Sequence, residues 1–390
     1  MTVQWIDNVR IERALVTNAD GETTTLSERG AIAMEDGVFT QVLLGERVEG
    51  LDGGGRLVLP SFRDTHIHLD KTFYGGPWRA PVPGRFWLAE EERLLPEMSE
   101  QIPVRSNAVL DLLVANGTTR VVAHCNVDHI VGTQNVTRLL DVLRARDDVD
   151  WDVVAYPQHG LRKGEILPLL AEALESGATM VGGLDPGLIE HDVEGALASI
   201  FELAVRYGVD VDLHLHDAGT LGRYEIGTVA DLVAEHGWQG RVALSCASAL
   251  AGCDAGLIDR LAEARIRVGT TMSVGGPVIP IPALDAAGVE VSLGSDSIMD
   301  ILTPFGRGDI LEQLWILAQR FGWSGEESIA RTLYFGAGDP GQWGADGTRA
   351  WPAVGDEASF LLVPAGGSAE AIARRVPRQA VFHRGRKVAG

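Results

Sequence analysis

Short apolar runs alternate with amphipathic stretches through the middle of the chain. Between the apolar runs lie segments with a helical repeat, such as EILPLLAEALES, VEGALASIFELAVRYG and AGLIDRLAEAR. Eight apolar runs are strand-like, and they occur in the order RLVLPSFRDTHIH, TTRVVAHCNV, WDVVAYPQHG, ATMVGGLDP, VDVDLHLHDAG, RVALSCAS, IRVGTTMSV and VEVSLGSDS. Eight strands that alternate with helices over roughly 290 residues predict an α/β fold, a (β/α)8 TIM-type barrel at residues 57–345.

The two ends of the chain have a different pattern. Residues 1–56 and 346–390 contain short β-type runs punctuated by Gly and Asp, as hairpins require, with one short helical segment at EAIARRV. A β segment at each end suggests that both termini build one structure. We therefore expect a small β-sandwich domain made from the two ends, with the barrel inserted between them.

Composition argues against nucleic-acid and membrane partners and indicates the cellular compartment. The 390-residue chain has a net charge of −21 and only three lysines, so it offers no basic stripe for a nucleic acid. Its beginning lacks the apolar core of a signal peptide, and no apolar run reaches the ~18 residues of a membrane span. An odd set of three cysteines suits a reducing compartment. We expect a cytoplasmic protein without membrane or nucleic-acid partners, and a homo-oligomer is compatible with these features.

Polar residues cluster where the predicted strands end. His66 and His68 share one face of the first strand, His214 ends the fifth strand, and Asp296 ends the eighth. In a TIM-type barrel these ends meet on one face. Three imidazoles and a carboxylate can hold one Zn²⁺ or Fe²⁺ and leave a position for water, which the metal would acidify. An isolated H-x-H pair also suits a polar strand end without metal, but the four residues together favour a metal site.

Several motifs in order carry a resemblance to a known family. LPSFRDTHIHLDKT, AYPQHG, VDLHLHDAG, GSDSIMDILTPFGRGDIL and AIARRVPRQAVFHRGRKV together resemble the cytosine deaminase-like branch of the amidohydrolase superfamily, whose members include isopropylammelide hydrolase and pterin-type deaminases. The resemblance implies a distorted barrel with a β-sandwich from both termini. It also implies one metal ion held by His66, His68, His214 and Asp296. A binuclear relative would need a bridging lysine on the fourth strand, and GATMVGGLDP contains none.

Four further residues are candidates for substrate contacts. Gln158 occupies the position where the family uses an amide to bind a ring N–H and carbonyl, although it could be a simple turn residue. Trp78 and Phe73 could stack on a flat heterocycle, or could pack against the barrel rim. Lys71 matches a lysine of isopropylammelide hydrolase and could hold an anionic oxygen. Its alternative role is a salt bridge with a neighbouring aspartate.

Two positions depart from cytosine deaminase itself. Asp217 stands where that enzyme has a glutamate that transfers protons, and we expect Asp217 to act as the general acid/base. Cys246 replaces the histidine at the end of the sixth strand, in LSCAS. Cys246 could bind the metal or substrate, or could be an inert small residue. His216, two residues after His214, could supply the missing imidazole.

These observations predict a metal-dependent hydrolase that acts on a C–N bond of a small nitrogen heterocycle. Asp217 or His216 would move a proton to the departing nitrogen, and Asp296 would both bind the metal and orient water. A cytosine deaminase-like enzyme that releases ammonia is the leading interpretation. The alternatives are hydrolysis of an N-alkyl amine or cyclic amide, as Lys71 suggests, and a weakened descendant that only binds a heterocycle, as Cys246 suggests.

Overall fold

The computed structural model describes residues 3–81, 87–273, 275 and 278–390. Val274, the last residue of the predicted strand IRVGTTMSV, lies outside these residues, as do residues 1 and 2 of the predicted terminal domain. The strands in chain order are β1 (Gln4–Thr17), β2 (Thr23–Glu35), β3 (Val38–Leu44), β4 (Leu51–Asp52), β5 (Leu57–Pro60), β6 (Phe62–Ile67), β7 (Thr118–Asn126), β8 (Asp150–Tyr156), β9 (Met180–Leu184), β10 (Asp210–His214), β11 (Val242–Ser245), β12 (Arg267–Thr270), β13 (Val291–Leu293), β14 (Phe360–Val363), β15 (Ala380–His383) and β16 (Arg386–Ala389).

Helices follow most of the central strands. They are α1 (Trp87–Ala115), α2 (Gln134–Arg144), α3 (Ile166–Ser176), α4 (Val193–Tyr207), α5 (Gly219–His236), α6 (Ala255–Glu263), α7 (Ile281–Ala286), α8 (Ile310–Arg320), α9 (Glu326–Arg331), α10 (Leu333–Ala337) and α11 (Ser368–Arg374), with 3-10 turns at Ser248–Leu250 and Asp339–Gly341. Within the described residues, no helix is long and apolar enough to cross a membrane.

Local sequence explains why a typical helix begins and ends where it does. The side chain of Asp192 accepts a hydrogen bond from the Gly195 N–H at 3.0 Å and so caps the first turn of α4. Gly208, with φ of 67°, ends the helix in the left-handed region that glycine adopts without strain. Between these ends, Leu197 and Phe201 are buried one turn apart. The helix therefore covers the barrel with one apolar face.

Strands β6 to β13 form a parallel sheet in sequence order, which is the predicted TIM-type barrel. The barrel closes between its last and first strands through Asp296. The His68 N–H donates to the Asp296 carbonyl at 2.9 Å, and the Asp296 N–H donates to the His66 carbonyl at 2.7 Å. At this seam a Cβ on Gly294 would lie 2.7 Å from the His66 Cβ, so only glycine fits. The closure itself places three predicted metal ligands side by side.

Both termini contribute to a second sheet, ordered β16-β15-β14-β5-β1-β2-β3 with β4 beside β1, which confirms the predicted terminal β domain. A buried ion pair links its distant parts: the Arg349 guanidinium donates to the Glu12 carboxylate and lies 5.4 Å from the ring centres of Trp343 and Trp351. Strand β5 pairs in this sheet, whereas β6 begins the barrel. The division of the chain at residues 57 and 345 stays a prediction.

Candidate active site

The four predicted metal ligands converge at the carboxyl end of the barrel. The Nε2 atoms of His68 and His214 are 3.3 Å apart. The Asp296 Oδ1 lies 3.4 Å from the His66 Nε2 and 3.6 Å from the His68 Nε2. Ligand atoms of His66, His68 and His214 all lie within 4.8 Å of one another. Side chains from three different strand ends therefore point at one centre.

Two of the histidines, His68 and His214, are held in the form that a metal requires. Burial, followed by the positive charge of neighbouring groups, lowers the pKa of His68 and of His214 well below the ordinary value, so both rings are neutral at pH 7. The His68 Nδ1 lies 3.2 Å from the His124 carbonyl, which places the ring proton on Nδ1 and leaves Nε2 with its lone pair toward the centre.

The donor set fits a divalent metal ion. The buried Nε2 of His66 has no hydrogen-bond partner among the described residues, which is costly unless a ligand satisfies it. Burial raises the pKa of Asp296, but the adjacent His66 ring and the positive charge of Lys71 outweigh burial and lower the pKa. Asp296 is therefore a carboxylate. Imidazole nitrogens with one carboxylate suit Zn²⁺ and Fe²⁺ alike.

Cys246 lies at the edge of this centre. Its Sγ, an imidazole nitrogen of His66 and a carboxylate oxygen of Asp296 all lie within 4.8 Å of one another. Burial, followed by the charges of Asp296 and Asp185, raises the pKa of the thiol well above its ordinary value. The backbone of Cys246 has φ of 68°, a left-handed conformation that is rare for residues other than glycine. The fold thus aims the thiol at the site.

Lys71 and Gln158, both predicted to contact substrate, contact each other. The Lys71 Nζ donates to the Gln158 Oε1 at 2.7 Å, and each residue is only 2% exposed. Lys71 uses one lone pair of the amide oxygen, so the amide nitrogen and the second lone pair of the oxygen are available to a ring. Among the described residues, Lys71 forms no salt bridge with Asp64 or Asp70: Asp64 accepts the Ser295 N–H, and Asp70 accepts the Asn126 N–H.

His216 forms a dyad with an acid that the sequence analysis did not single out. Its Nδ1 lies 2.9 Å from the Asp185 Oδ2, and its backbone N–H donates to the same carboxylate. Burial lowers the pKa of His216, but the hydrogen bond and charge of Asp185 outweigh burial and raise the pKa above the ordinary value. The ring centre lies 5.9 Å from that of His214. The dyad places a proton-carrying imidazole beside the predicted metal ligands.

The carboxylate of Asp217 is engaged elsewhere. Its Oδ2 accepts the Leu188 N–H at 2.9 Å, and the buried carboxyl of Glu225 on α5 is close enough to be affected by its charge. Glu225 also accepts the Gly187 N–H at 2.9 Å. Burial, followed by Asp217, raises the pKa of Glu225 to about 8. The pair holds the loop after β9. A role for Asp217 in proton transfer stays a prediction.

The two aromatic candidates have different surroundings. Phe73 is buried in a cluster with Leu94, Met98 and Ile301, where it joins the loop after β6 to α1 and to the loop after β13. Trp78 is 73% exposed on the loop after β6. Phe73 therefore packs against the barrel rim, which is one of the two roles expected for it. The ring of Trp78 is exposed to solvent. Their contact with a substrate stays a prediction.

Sequence analysis missed three residues of the site, Asp185, His124 and Glu91. Asp185 ends the fourth barrel strand in GGLDP, so its position alone could have marked it. His124 is fully buried and stacks on His66 with ring centres 4.4 Å apart, and its inward position on β7 was a weak signal. Glu91 comes from the helix α1, where no strand-end pattern points to it.

The fold and the site define a class: a TIM-type barrel with a histidine and aspartate centre at the carboxyl ends of its strands. The amidohydrolase family matches residues 118–388. The chain therefore belongs to the amidohydrolase family, and the resemblance read from its motifs is confirmed.

Two individual relatives support the family assignment. The chain is 36% identical to YahJ of Escherichia coli K12 over 99% of this chain and 87% of that protein. It is 31% identical to the N-isopropylammelide isopropyl amidohydrolase of Pseudomonas sp. strain ADP over 74% of this chain and 78% of that enzyme.

Solved structures show the same fold. N-isopropylammelide isopropylaminohydrolase of Burkholderia multivorans superposes with a TM-score of 0.88 at 32% identity, covering 100% of this chain and 98% of that one. The 5-methylcytosine deaminase of Klebsiella pneumoniae has a TM-score of 0.79 at 23% identity, covering 99% and 97%, and at that identity the likeness shows the fold alone.

Proposed function

We propose that this protein is a metal-dependent hydrolase that cleaves the bond between a ring carbon and an exocyclic amine of a small nitrogen heterocycle. The observation that carries the proposal is the placement of the Lys71–Gln158 pair next to the centre formed by His66, His68, His214 and Asp296. The Lys71–Gln158 pair can hold a polar ring by hydrogen bonds, and the adjacent centre can hold the metal ion that activates water to attack a ring carbon.

A divalent metal, when bound, supplies a Lewis acid that makes water nucleophilic near neutral pH. Asp296 would accept a hydrogen bond from the attacking water. Lys71 and the Gln158 amide nitrogen donate to an oxygen or an unprotonated nitrogen of the ring. His216, kept protonated by Asp185, gives a proton to the departing nitrogen. Water adds to the ring carbon and gives one proton to Asp296. The C–N bond breaks and the amine leaves with the proton from His216, while the carbon becomes a carbonyl and the second water proton moves to the ring nitrogen. The proton on Asp296 returns to His216 through solvent, which restores both groups.

The leaving group is either ammonia or an alkylamine. Ammonia corresponds to cytosine deaminase-like chemistry, which the motifs suggested. Two observations favour an alkylamine as the second candidate: Lys71 lies in the site, and relatives above 30% identity are named for removal of an isopropylamine group. The two candidates share every residue role described above and differ only in what the pocket accepts around the leaving nitrogen.

A panel of heterocycles tests the proposal. Purified protein of measured metal content is incubated with aminated and N-isopropylaminated pyrimidines, triazines and pterins, and the products are separated by mass. The proposal expects a ring carbonyl with release of one amine, and His216→Gln should slow that reaction. Ring opening in place of amine release would contradict the proposal. Binding without turnover on every member would favour the weakened descendant that Cys246 suggested.

A further inference from the structure

The loop after β9 begins with a strained residue, the Asp185 of the proposed dyad. Its backbone has φ of 34°, in the left-handed region that residues other than glycine rarely adopt. Such a conformation persists only where the surrounding contacts impose it. The Asp185 carboxylate accepts the backbone N–H of His216 and lies 2.9 Å from the His216 Nδ1. The position of this carboxylate therefore depends on what holds the loop.

Two acids from outside the loop hold it. The Gly187 N–H donates to the Glu225 Oε1 at 2.9 Å, and the Leu188 N–H donates to the Asp217 Oδ2, also at 2.9 Å. In the opposite direction, the Asp217 N–H donates to the Asp185 Oδ1 at 3.4 Å. The loops after β9 and β10 are thus linked in both directions, and Glu225 adds a link from the helix α5.

Glu225 is a buried acid that the proposed chemistry does not use. It is 0% exposed, and among the described residues its Oε2 has no hydrogen-bond partner. Burial of a carboxyl group with one oxygen unpaired is costly, so an apolar side chain would be more stable here if the contact with the loop had no role.

The sequence makes room for that contact. A Cβ on Gly187 would lie 2.6 Å from the Glu225 Oε1 and 2.8 Å from both methyl groups of Leu221. Only glycine at position 187 therefore lets the acid reach the backbone N–H. The glycine and the acid form one device, built from two elements that are 38 residues apart in the chain.

We propose that Glu225 is a positioning residue of the dyad: through the Gly187 N–H, it holds the loop after β9 in the conformation that directs the Asp185 carboxylate at His216. Asp185 lies two residues before Gly187, so displacement of that N–H acts directly on the backbone of Asp185. Without the link, the strained φ of Asp185 can relax and its carboxylate moves away from the imidazole. The importance of the dyad for turnover rests on the proposed function, whereas this geometric relation does not.

Nuclear magnetic resonance of the His216 ring tests the proposal. Protein labelled with ¹⁵N-histidine and loaded with zinc gives signals from ten histidines, and His216→Gln identifies that of His216. In Glu225→Met, which lacks the acceptor, the Nδ1 proton should lose its downfield, hydrogen-bonded shift. Hydrogen exchange of the His216 and Asp217 backbone N–H groups should accelerate about tenfold, as for loss of one hydrogen bond. Glu225→Gln keeps an acceptor oxygen and should retain both properties.

Glu190→Met is the matched control, compared at equal zinc content. Glu190 lies on the same loop, is 5% exposed and accepts the Leu161 N–H from the loop after β8 at 2.6 Å. Its loss should accelerate exchange of the Leu161 N–H and leave the His216 signal in place. An unchanged His216 signal in Glu225→Met, or an equal change in Glu190→Met, would overturn the proposal.

A second variant covers the case in which Glu225→Met does not fold. In Gly187→Ala the added methyl group should displace the Glu225 carboxyl group, so the N–H at position 187 should exchange faster and the His216 signal should change as in Glu225→Met. Faster exchange at position 187 with an unchanged His216 signal would overturn the proposal. None of these measurements uses a substrate. Absence of turnover on the heterocycle panel would therefore contradict the proposed function and leave the relation between Glu225 and the dyad to be judged by these signals.

Discussion

The dyad of His216 and Asp185 makes the sharpest catalytic prediction. The two side chains are joined by a 2.9 Å contact, and the imidazole is 45% exposed, so it can exchange its proton with a substrate or with water. His216→Gln keeps a hydrogen-bonding side chain and removes the proton carrier. General acid/base catalysis contributes at least about 10²-fold, so kcat/KM should fall by about that factor, which corresponds to ~2.7 kcal/mol of transition-state stabilisation.

Asp185→Asn tests the same dyad through its pH dependence. Asp185 raises the pKa of His216 against the opposing effect of burial. Loss of the charge should lower that pKa, so the imidazolium should be lost at lower pH. The descending limb of the pH profile of kcat/KM should therefore move down by about one unit. An unchanged profile in this variant would refute the role of the dyad.

The assay is the rate of amine release from the substrate that the panel identifies, measured across pH 5 to 10 in protein of equal metal content. Asp217→Asn belongs in the same experiment. In this structure the carboxylate of Asp217 holds the loop after β9, so we expect a smaller loss than for His216→Gln. A loss of about 10²-fold in Asp217→Asn, with His216→Gln nearly unaffected, would return the proton-transfer role to Asp217.

Two further predictions concern a thiol and a buried acid. Cys246→His should raise turnover if the thiol only fills the place of an imidazole, whereas a metal–sulfur signal in X-ray absorption of the unsubstituted protein would contradict that role. The pKa of Glu225 is raised to about 8, so the folded state holds a proton that the unfolded state loses near pH 4.5. The free energy of unfolding should therefore fall as pH rises from about 5 to 8. Glu225→Gln cannot lose this proton, and thermal melts should show a weaker decrease over that range; an equal decrease would count against the acid pair.

Residues at strand ends were predictable because topology decides where they lie. The alternation of strands and helices indicated a barrel, and a barrel brings the ends of β6, β10 and β13 to one face. His66, His68, His214 and Asp296 followed from that rule and from the ligands that a metal prefers. Lys71 and Gln158 were placed near the centre by motif, but their mutual hydrogen bond depends on two loops whose relative position no local pattern encodes.

Other residues could not be predicted because their orientation depends on distant partners. Asp217 follows the predicted ligand His214 by three positions, yet its side chain turns to Leu188 and Glu225 on other elements. Asp185 lies just after β9, where its position could have marked it, but its pairing with His216 after the neighbouring strand β10 follows only from the folded structure. Glu91 reaches the site from a helix, so strand-end reasoning passes over it.

The central claim is that this chain holds one catalytic metal ion between His66, His68, His214 and Asp296, and metal content tests it most directly. Elemental analysis of the purified protein should give one divalent transition metal per chain. His214→Ala should lose most of that metal and keep the circular dichroism of the folded barrel, because a strand-end side chain contributes little to core packing. Two metals per chain in the unsubstituted protein, or full occupancy in His214→Ala, would contradict the account.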